Sequence, residues 1–136
     1  VDRIPRLLAG QAAGYDPIAA ELHADDEDDD PGNRLTTALD SAQDTPTNEI
    51  ADGLQVTAPA RENQLLDAIA DAGGDAIALS GDAVEGELDR LHRAGFYVEP
   101  TSAVATAALR EYRRRDVLAP GDDVVVPLTG SGMKTL

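Results

Sequence analysis

Short apolar runs alternate with amphipathic stretches along most of the chain, and this pattern predicts its secondary structure. The run over 6–13 (RLLAGQAA) is typical of a buried strand. Asp16 and Pro17 come next, a pair that suits the cap and the first turn of a helix. A short helix is therefore predicted over 18–23.

From residue 61 onwards the pattern alternates regularly between helix and strand. Three segments carry apolar residues at helical spacing, and three shorter segments are continuously apolar. The predicted helices are 61–72, a second helix that Ser80 caps and Gly95 ends, and 100–115. The predicted strands are 75–79, 96–98 and 123–129. This order predicts an α/β fold, in which a parallel sheet is covered by helices. Ligands bind such sheets beyond the C-terminal ends of the strands, which draws attention to Ser80, 99–102 and 129–132.

One stretch departs from this pattern. Residues 24–48 begin with a run of acidic side chains and continue with mostly small polar residues. Dense like charge repels itself, and few apolar residues are present to offset the entropy lost on ordering, so a mobile insertion is predicted. The run superficially resembles a calcium-binding loop, but Pro31 and Thr37 stand where that loop needs Gly and Glu. We therefore expect no specific metal site here, only loose association of cations.

Composition narrows the class of protein. The 136 residues fit one domain, and because only 3% are aromatic, its core must be built from Ala, Val, Leu and Ile. A net charge of −15, with Lys134 as the only lysine, argues against nucleic acid as a partner and favours a cytoplasm of very high salt. There is no cysteine, no apolar run of membrane-spanning length and no His pair at metal-binding spacing. The sequence begins at Val1 rather than Met, which suggests that further residues precede it.

Two polar segments at predicted strand ends are candidates for ligand binding. In Thr129–Gly132 (TGSG) a hydroxyl is followed by two glycines, which let backbone approach a ligand closely. A Gly-rich tail without a function would look the same. In Glu99–Ser102 (EPTS) Pro100 starts a helix, and Thr101 or Ser102 could equally be an ordinary N-cap.

Four segments of the chain match one family, and they occur in that family's order. Residues 95–134 read GFYVEPTSAVATAALREYRRRDVLAPGDDVVVPLTGSGMK, and the upstream segments are RIPRLLAGQAAGYDPI, EIADGLQVTAPAR and GGDAIALS. Together they resemble threonine synthase, over nearly the whole chain except the acidic stretch. The resemblance implies a fold-type II pyridoxal-phosphate (PLP) enzyme, similar in fold to the tryptophan synthase β subunit, that converts O-phosphohomoserine and water into threonine and phosphate. Residues 1–136 would be the C-terminal part of its large PLP-binding domain.

The resemblance also assigns roles to individual positions. Thr129 matches the hydroxyl that hydrogen-bonds the pyridine nitrogen of PLP. Glu99 and Ser102 match the wall near the cofactor ring, and Gly130 allows close approach of the backbone. The family's Schiff-base lysine and its Gly-rich phosphate loop belong to upstream segments that this sequence does not contain. Lys134 does not match that lysine and is expected to be a solvated cation, so we expect no catalytic residue in this chain and no activity from it alone.

The resemblance leaves alternatives open. Another fold-type II enzyme, such as threonine dehydratase or cysteate synthase, would lack the same deciding residues. A stand-alone, non-catalytic binding domain is an alternative from a different class. An enzyme fragment would have as partners the missing N-terminal part of the same cytoplasmic enzyme and a small amino-acid substrate, with a homo-oligomer left open. It should also expose apolar surface where the missing part packs, which a binding domain should not.

Overall fold

The computed structural model describes residues 3–24 and 47–135. The predicted mobile insertion, 24–48, lies outside the described residues except for Ala24, Thr47 and Asn48. Asn48 is fully buried, so the packed part of the chain includes this residue.

Within the described ranges the chain forms two strands and four helices. In chain order they are β1 (Leu8–Ala12), α1 (Pro17–Leu22), α2 (Glu62–Asp71), β2 (Asp75–Leu79), α3 (Gly81–Arg93) and α4 (Pro100–Arg114). Short 3-10 turns occupy Asp52–Leu54 and Gly132–Thr135. The helices and the strands at 8–12 and 75–79 fall where the hydrophobic pattern predicts them.

The two strands form a parallel sheet with helices on both of its faces, which confirms the predicted α/β fold. The register runs from Leu8 opposite Asp75 to Ala12 opposite Leu79. Successive side chains of a strand point to opposite faces. The core on one face joins α1 and α2, with members Ile18, Ala19, Ile69 and Ala76. The core on the other face joins α3 and α4, with members that include Ile77, Leu79, Val84, Val104, Ala108 and Tyr112.

α4 packs directly against β1. A Cβ at Gly10 would lie 2.8 Å from the Cβ of Ala108 and 3.2 Å from the carbonyl oxygen of Val104, so only glycine allows this approach. Tyr112, on the same helix, is 1% exposed and donates a hydrogen bond from its hydroxyl to the carbonyl of Ala9 at 3.1 Å. Burial raises the pKa of Tyr112 above its usual range, which keeps the hydroxyl protonated as a donor.

Two of the predicted strands are wrong. Residues 96–98 form no ladder, and Val98 makes a single antiparallel bridge with Ser131. Residues 123–129 are irregular, and Val125 among them is 94% exposed. An apolar run predicts burial, but a strand also needs a neighbour that supplies hydrogen bonds. None of the residues that the structure describes pairs with 123–129.

The predicted helix signals have mixed outcomes. The hydroxyl of Ser80 accepts a hydrogen bond from the N–H of Ala83 at 3.3 Å, which confirms it as the N-cap of α3. Gly95 has a φ of 92° just after that helix, as expected of a glycine that ends one. Asp16 is the N-cap residue of α1 and Pro17 follows in its first turn, as predicted, but the Asp16 side chain makes no capping hydrogen bond to the helix. Its carboxylate instead accepts from the N–H of Gly14 at 2.9 Å.

An apolar surface remains uncovered beside α4. Ile4 is 75% exposed, Leu7 41% and Val125 94%. A groove of about 630 Å³ runs between segment 3–8, α4 and segment 122–127.

None of the helices in 3–24 and 47–135 is both long and apolar enough to cross a membrane.

The last turn of α4 carries an ion-pair cluster. Glu111 accepts hydrogen bonds from Arg114 at 2.7 Å and 2.9 Å, and from Arg115 at 2.7 Å. The hydrogen bonds from Arg114 are the main reason why the pKa of Glu111 falls from its usual 4.5 to about 2. Since the folded pKa lies below the unfolded one, the stabilisation is complete above about pH 4.5 and is lost as the pH falls towards 2.

We therefore expect Glu111→Gln to lower the free energy of unfolding by about 1 kcal/mol at pH 7, a small effect because the arginines are partly exposed and screened by solvent. The difference from the wild type should shrink between pH 4.5 and pH 2. Urea unfolding over a series of pH values would measure it. Glu85→Gln, at an exposed position of α3, is the matched control and should show no such trend. A difference that grew at low pH would contradict the assignment.

Candidate functional site

The start of α4 and the C-terminal segment 129–132 lie side by side. Val98 and Ser131 form an antiparallel bridge, and the N–H of Gly132 donates to the carbonyl of Tyr97 at 3.1 Å. These bonds hold the segment against the residues that lead into α4. Three of the four predicted site residues, Glu99, Ser102 and Gly130, thereby come into mutual contact.

Ser102 makes the central contact of this site. Its side chain is 3% exposed, and its Oγ accepts a hydrogen bond from the N–H of Gly130 at 2.8 Å. The same Oγ donates to the carbonyl of Gly130 at 3.3 Å. The backbone N–H of Glu99 donates to that carbonyl at 3.1 Å. Glu99 is the N-cap residue of α4, without a side-chain capping bond, so the interpretation of Ser102 as an ordinary N-cap is wrong.

Close packing rather than an unusual backbone distinguishes the two glycines. Gly130 is buried and has no positive φ. A Cβ on it would collide with the side-chain carboxylate of Glu99. At Gly132 a Cβ would lie 3.0 Å from Cε1 of Tyr97 and 3.0 Å from the carbonyl oxygen of Val98. The segment is therefore packed against α4, which a loose Gly-rich tail would not be.

Thr129 and Lys134 lie on the outer side of this contact. Thr129 is exposed, and no hydrogen bond joins its hydroxyl to any residue within 3–24 or 47–135. Lys134 is 65% exposed and has its Nζ 3.8 Å from Oε1 of Glu99. The predicted solvated cation is thus also the ion-pair partner of a predicted site residue, a contact that the sequence does not indicate.

A buried amide near the end of β2 was missed by the sequence analysis. Asn48 is 0% exposed, and its Nδ2 donates to the carbonyl of Leu79 at 2.9 Å. Its Oδ1 accepts from the N–H groups of Ile50 at 3.2 Å and Ala51 at 3.3 Å. Asn48 therefore connects the C-terminal end of β2 to residues 50 and 51, which follow Asn48 in the chain. In the sequence it stands in a polar stretch with no signal of burial. Ser80, the third predicted strand-end position, uses its hydroxyl to cap α3.

The described residues of the site do not form a metal-binding cluster. No group of three His, Asp or Glu side chains in the described ranges is placed to hold an ion. What the site offers is an exposed hydroxyl, a carboxylate paired with an ammonium, and a tightly packed backbone. Such an arrangement can hydrogen-bond an organic ligand and exclude bulky groups on its inner side.

Comparison with known proteins identifies the family. The family model described as pyridoxal-phosphate dependent enzyme matches residues 2–130. The chain is 27% identical to threonine synthase of Methanocaldococcus jannaschii over 135 residues, which are 98% of this chain and 30% of that protein. It is also 27% identical to threonine synthase of Mycobacterium leprae over 135 residues, 98% of this chain and 32% of that protein. The chain thus spans about a third of the length of these relatives. Since the family model covers nearly the whole chain, the chain belongs to the pyridoxal-phosphate dependent enzymes of fold-type II.

Proposed function

We propose that this chain is the C-terminal part of the large PLP-binding domain of a threonine synthase-like lyase. The reaction would convert O-phosphohomoserine and water into threonine and phosphate. The observation that carries the proposal is the contact between Glu99, Ser102 and Gly130, which places Thr129 on the exposed side of a packed backbone. Two relatives named threonine synthase, each aligned over 98% of the chain, support it.

The residues present fit the ring end of PLP. The pyridine nitrogen of PLP is a hydrogen-bond acceptor. Thr129 offers an exposed hydroxyl that is not hydrogen-bonded to any of the described residues. When bound, PLP supplies an electron sink for the amino-acid substrate. The neutral hydroxyl of Thr129 offers the ring nitrogen a hydrogen bond without placing a charge beside it. Glu99, which is partly buried and ion-paired with Lys134, would form the adjoining wall.

The other functional groups of the cofactor would be held elsewhere. Lys134 is the only lysine of the chain, and its ammonium is engaged in an ion pair with Glu99 at 3.8 Å, on the outer side of the site. We therefore assign the Schiff-base lysine and the phosphate-binding loop to an N-terminal part of the same cytoplasmic enzyme. The relatives are about three times as long as this chain. The exposed side chains Leu7 and Val125 are where that part would pack.

Replacing Thr129 tests the proposal. In protein expressed from the complete reading frame, Thr129→Ala should lower kcat/KM for phosphate release from O-phosphohomoserine by roughly tenfold to a hundredfold, the loss expected for one hydrogen bond of 1–3 kcal/mol. Thr129→Ser keeps the hydroxyl and should recover most of that loss. Because the chain is strongly acidic, the assay should be run over a range of salt concentrations.

Three results would count against the proposal, and the first two point to different alternatives. Wild-type protein that releases no phosphate but dehydrates threonine would indicate a different fold-type II lyase. Wild-type protein that binds no PLP, measured by the absorbance of the cofactor, would favour a non-catalytic binding domain. Equal activity of Thr129→Ala and wild type would show that the hydroxyl of Thr129 does not contribute to the reaction.

A further inference from the structure

We propose that Ser102 is a positioning residue, whose hydroxyl holds the Thr129–Gly130 peptide and thereby the place from which the Thr129 side chain projects. This inference rests on the proposed function of Thr129, but the contact itself can be tested separately. Ser102 belongs to the first turn of α4, and Gly130 lies 28 positions further along the chain. The sequence resemblance places Ser102 only near the cofactor ring and gives it no such task.

The contact satisfies both backbone polar groups of Gly130. Its N–H donates to Oγ of Ser102, and its carbonyl accepts from the same Oγ and from the N–H of Glu99. One hydroxyl can do both, since it has one donor hydrogen and two acceptor lone pairs. Ser102 and Gly130 are both buried, so water does not readily replace these bonds. A side chain without a hydroxyl would leave a buried N–H unpaired.

Planarity of the peptide bond carries this constraint to Thr129. The N–H of Gly130 lies in one plane with the carbonyl and Cα of Thr129. The hydrogen bond from that nitrogen to Oγ of Ser102, at 2.8 Å, therefore holds the plane that contains Cα of Thr129, the atom that carries the Thr129 side chain. On the other side, the Glu99 side chain fills the space where a Cβ of residue 130 would lie. Both groups that fix the peptide come from the start of α4.

Hydrogen exchange at one amide measures the contact directly. Labelling Thr carbonyl carbon and Gly nitrogen marks Thr-Gly peptides, of which these 136 residues contain only Thr129-Gly130. In the complete protein, the signal that disappears in Thr129→Ala identifies this peptide. In protein from the complete reading frame, Ser102→Ala should speed exchange of the Gly130 amide by about tenfold. Ser102→Thr, which keeps a hydroxyl, should restore part of the protection. Thr106→Ala is the matched control, because Thr106 lies on α4 and its hydroxyl donates within that helix, to the carbonyl of Ala103 at 3.0 Å.

A cofactor readout tests the positioning role. Ser102→Ala should weaken PLP binding by about tenfold and shift the absorption maximum of bound PLP, with Ser102→Thr moving both back towards the wild type. Unchanged exchange in Ser102→Ala would overturn the contact. Faster exchange with unchanged PLP affinity and spectrum would overturn the positioning role. Failure of the wild type to bind PLP would overturn the proposed function and this role with it, while exchange would still report on the contact.

Discussion

Tyr112→Ala is expected to lower the free energy of unfolding by about 3–5 kcal/mol, the largest effect of any single truncation in this core. Tyr112 is 1% exposed and is the largest of the fully buried side chains in the described residues. Its removal would leave a cavity between α4 and the sheet. It would also leave the carbonyl of Ala9 without the hydroxyl that donates to it at 3.1 Å. Urea unfolding of the variant and the wild type would measure the loss.

Two further variants separate the causes of that loss. Tyr112→Phe keeps the ring and should cost only about 1 kcal/mol, the share of the hydrogen bond. Phe96→Ala removes a ring that is 54% exposed and should cost far less than Tyr112→Ala. If Tyr112→Ala cost no more than Phe96→Ala, Tyr112 would not be a core residue.

Gly130→Ala should disrupt the candidate site more than the addition of a methyl group at any other position of the site. A Cβ at this position would collide with the Glu99 carboxylate, so the backbone or Glu99 must move, at a cost of about 1–3 kcal/mol. Movement of the backbone would break the hydrogen bonds between Gly130 and Ser102 and displace Thr129. We expect PLP to bind at least about tenfold more weakly in protein from the complete reading frame, as measured by cofactor titration.

A double-mutant cycle shows whether the collision with Glu99 is the cause. Glu99→Ala in the Gly130→Ala background removes the obstructing side chain, so the loss of stability should be smaller than the sum of the two single losses. Gly86→Ala is the control for the change of glycine to alanine itself. No atom lies within 4 Å of a Cβ at Gly86, and alanine favours its helix by about 1 kcal/mol. Additive losses at 99 and 130 would indicate that the two residues are not in contact.

The hydrophobic pattern predicted those elements whose partners lie within the described part of the chain. β2 was predicted over 75–79 and has these bounds, because its apolar run is covered on both faces by helices of this chain. The equally apolar run at 123–129 forms no strand. The two runs look alike in sequence, since hydrophobicity records the tendency to be buried but not the identity of the neighbour.

The site could be predicted in part for a similar reason. Strand-end positions and the family resemblance selected Glu99, Ser102 and Gly130, which the structure brings together. The pairing of Ser102 with the backbone of Gly130 was not predictable, because it depends on how segment 129–132 returns to α4. Asn48 was missed for lack of any local signal, since its burial depends on a contact with Leu79, 31 positions away.

The valine run Val124–Val126, which is exposed at Val124 and Val125, has consequences for self-association. Three consecutive β-branched residues without a ladder partner among the described residues form a surface to which a second copy could add as a strand. Its flanks act as gatekeepers: Asp122 and Asp123 repel the same residues of another copy, and Pro127 has no N–H to donate. The net charge of −15 adds long-range repulsion, which salt screens. Charge repulsion therefore protects this run from self-association least in concentrated salt. In that condition it matters most that the rest of the proposed enzyme covers the run.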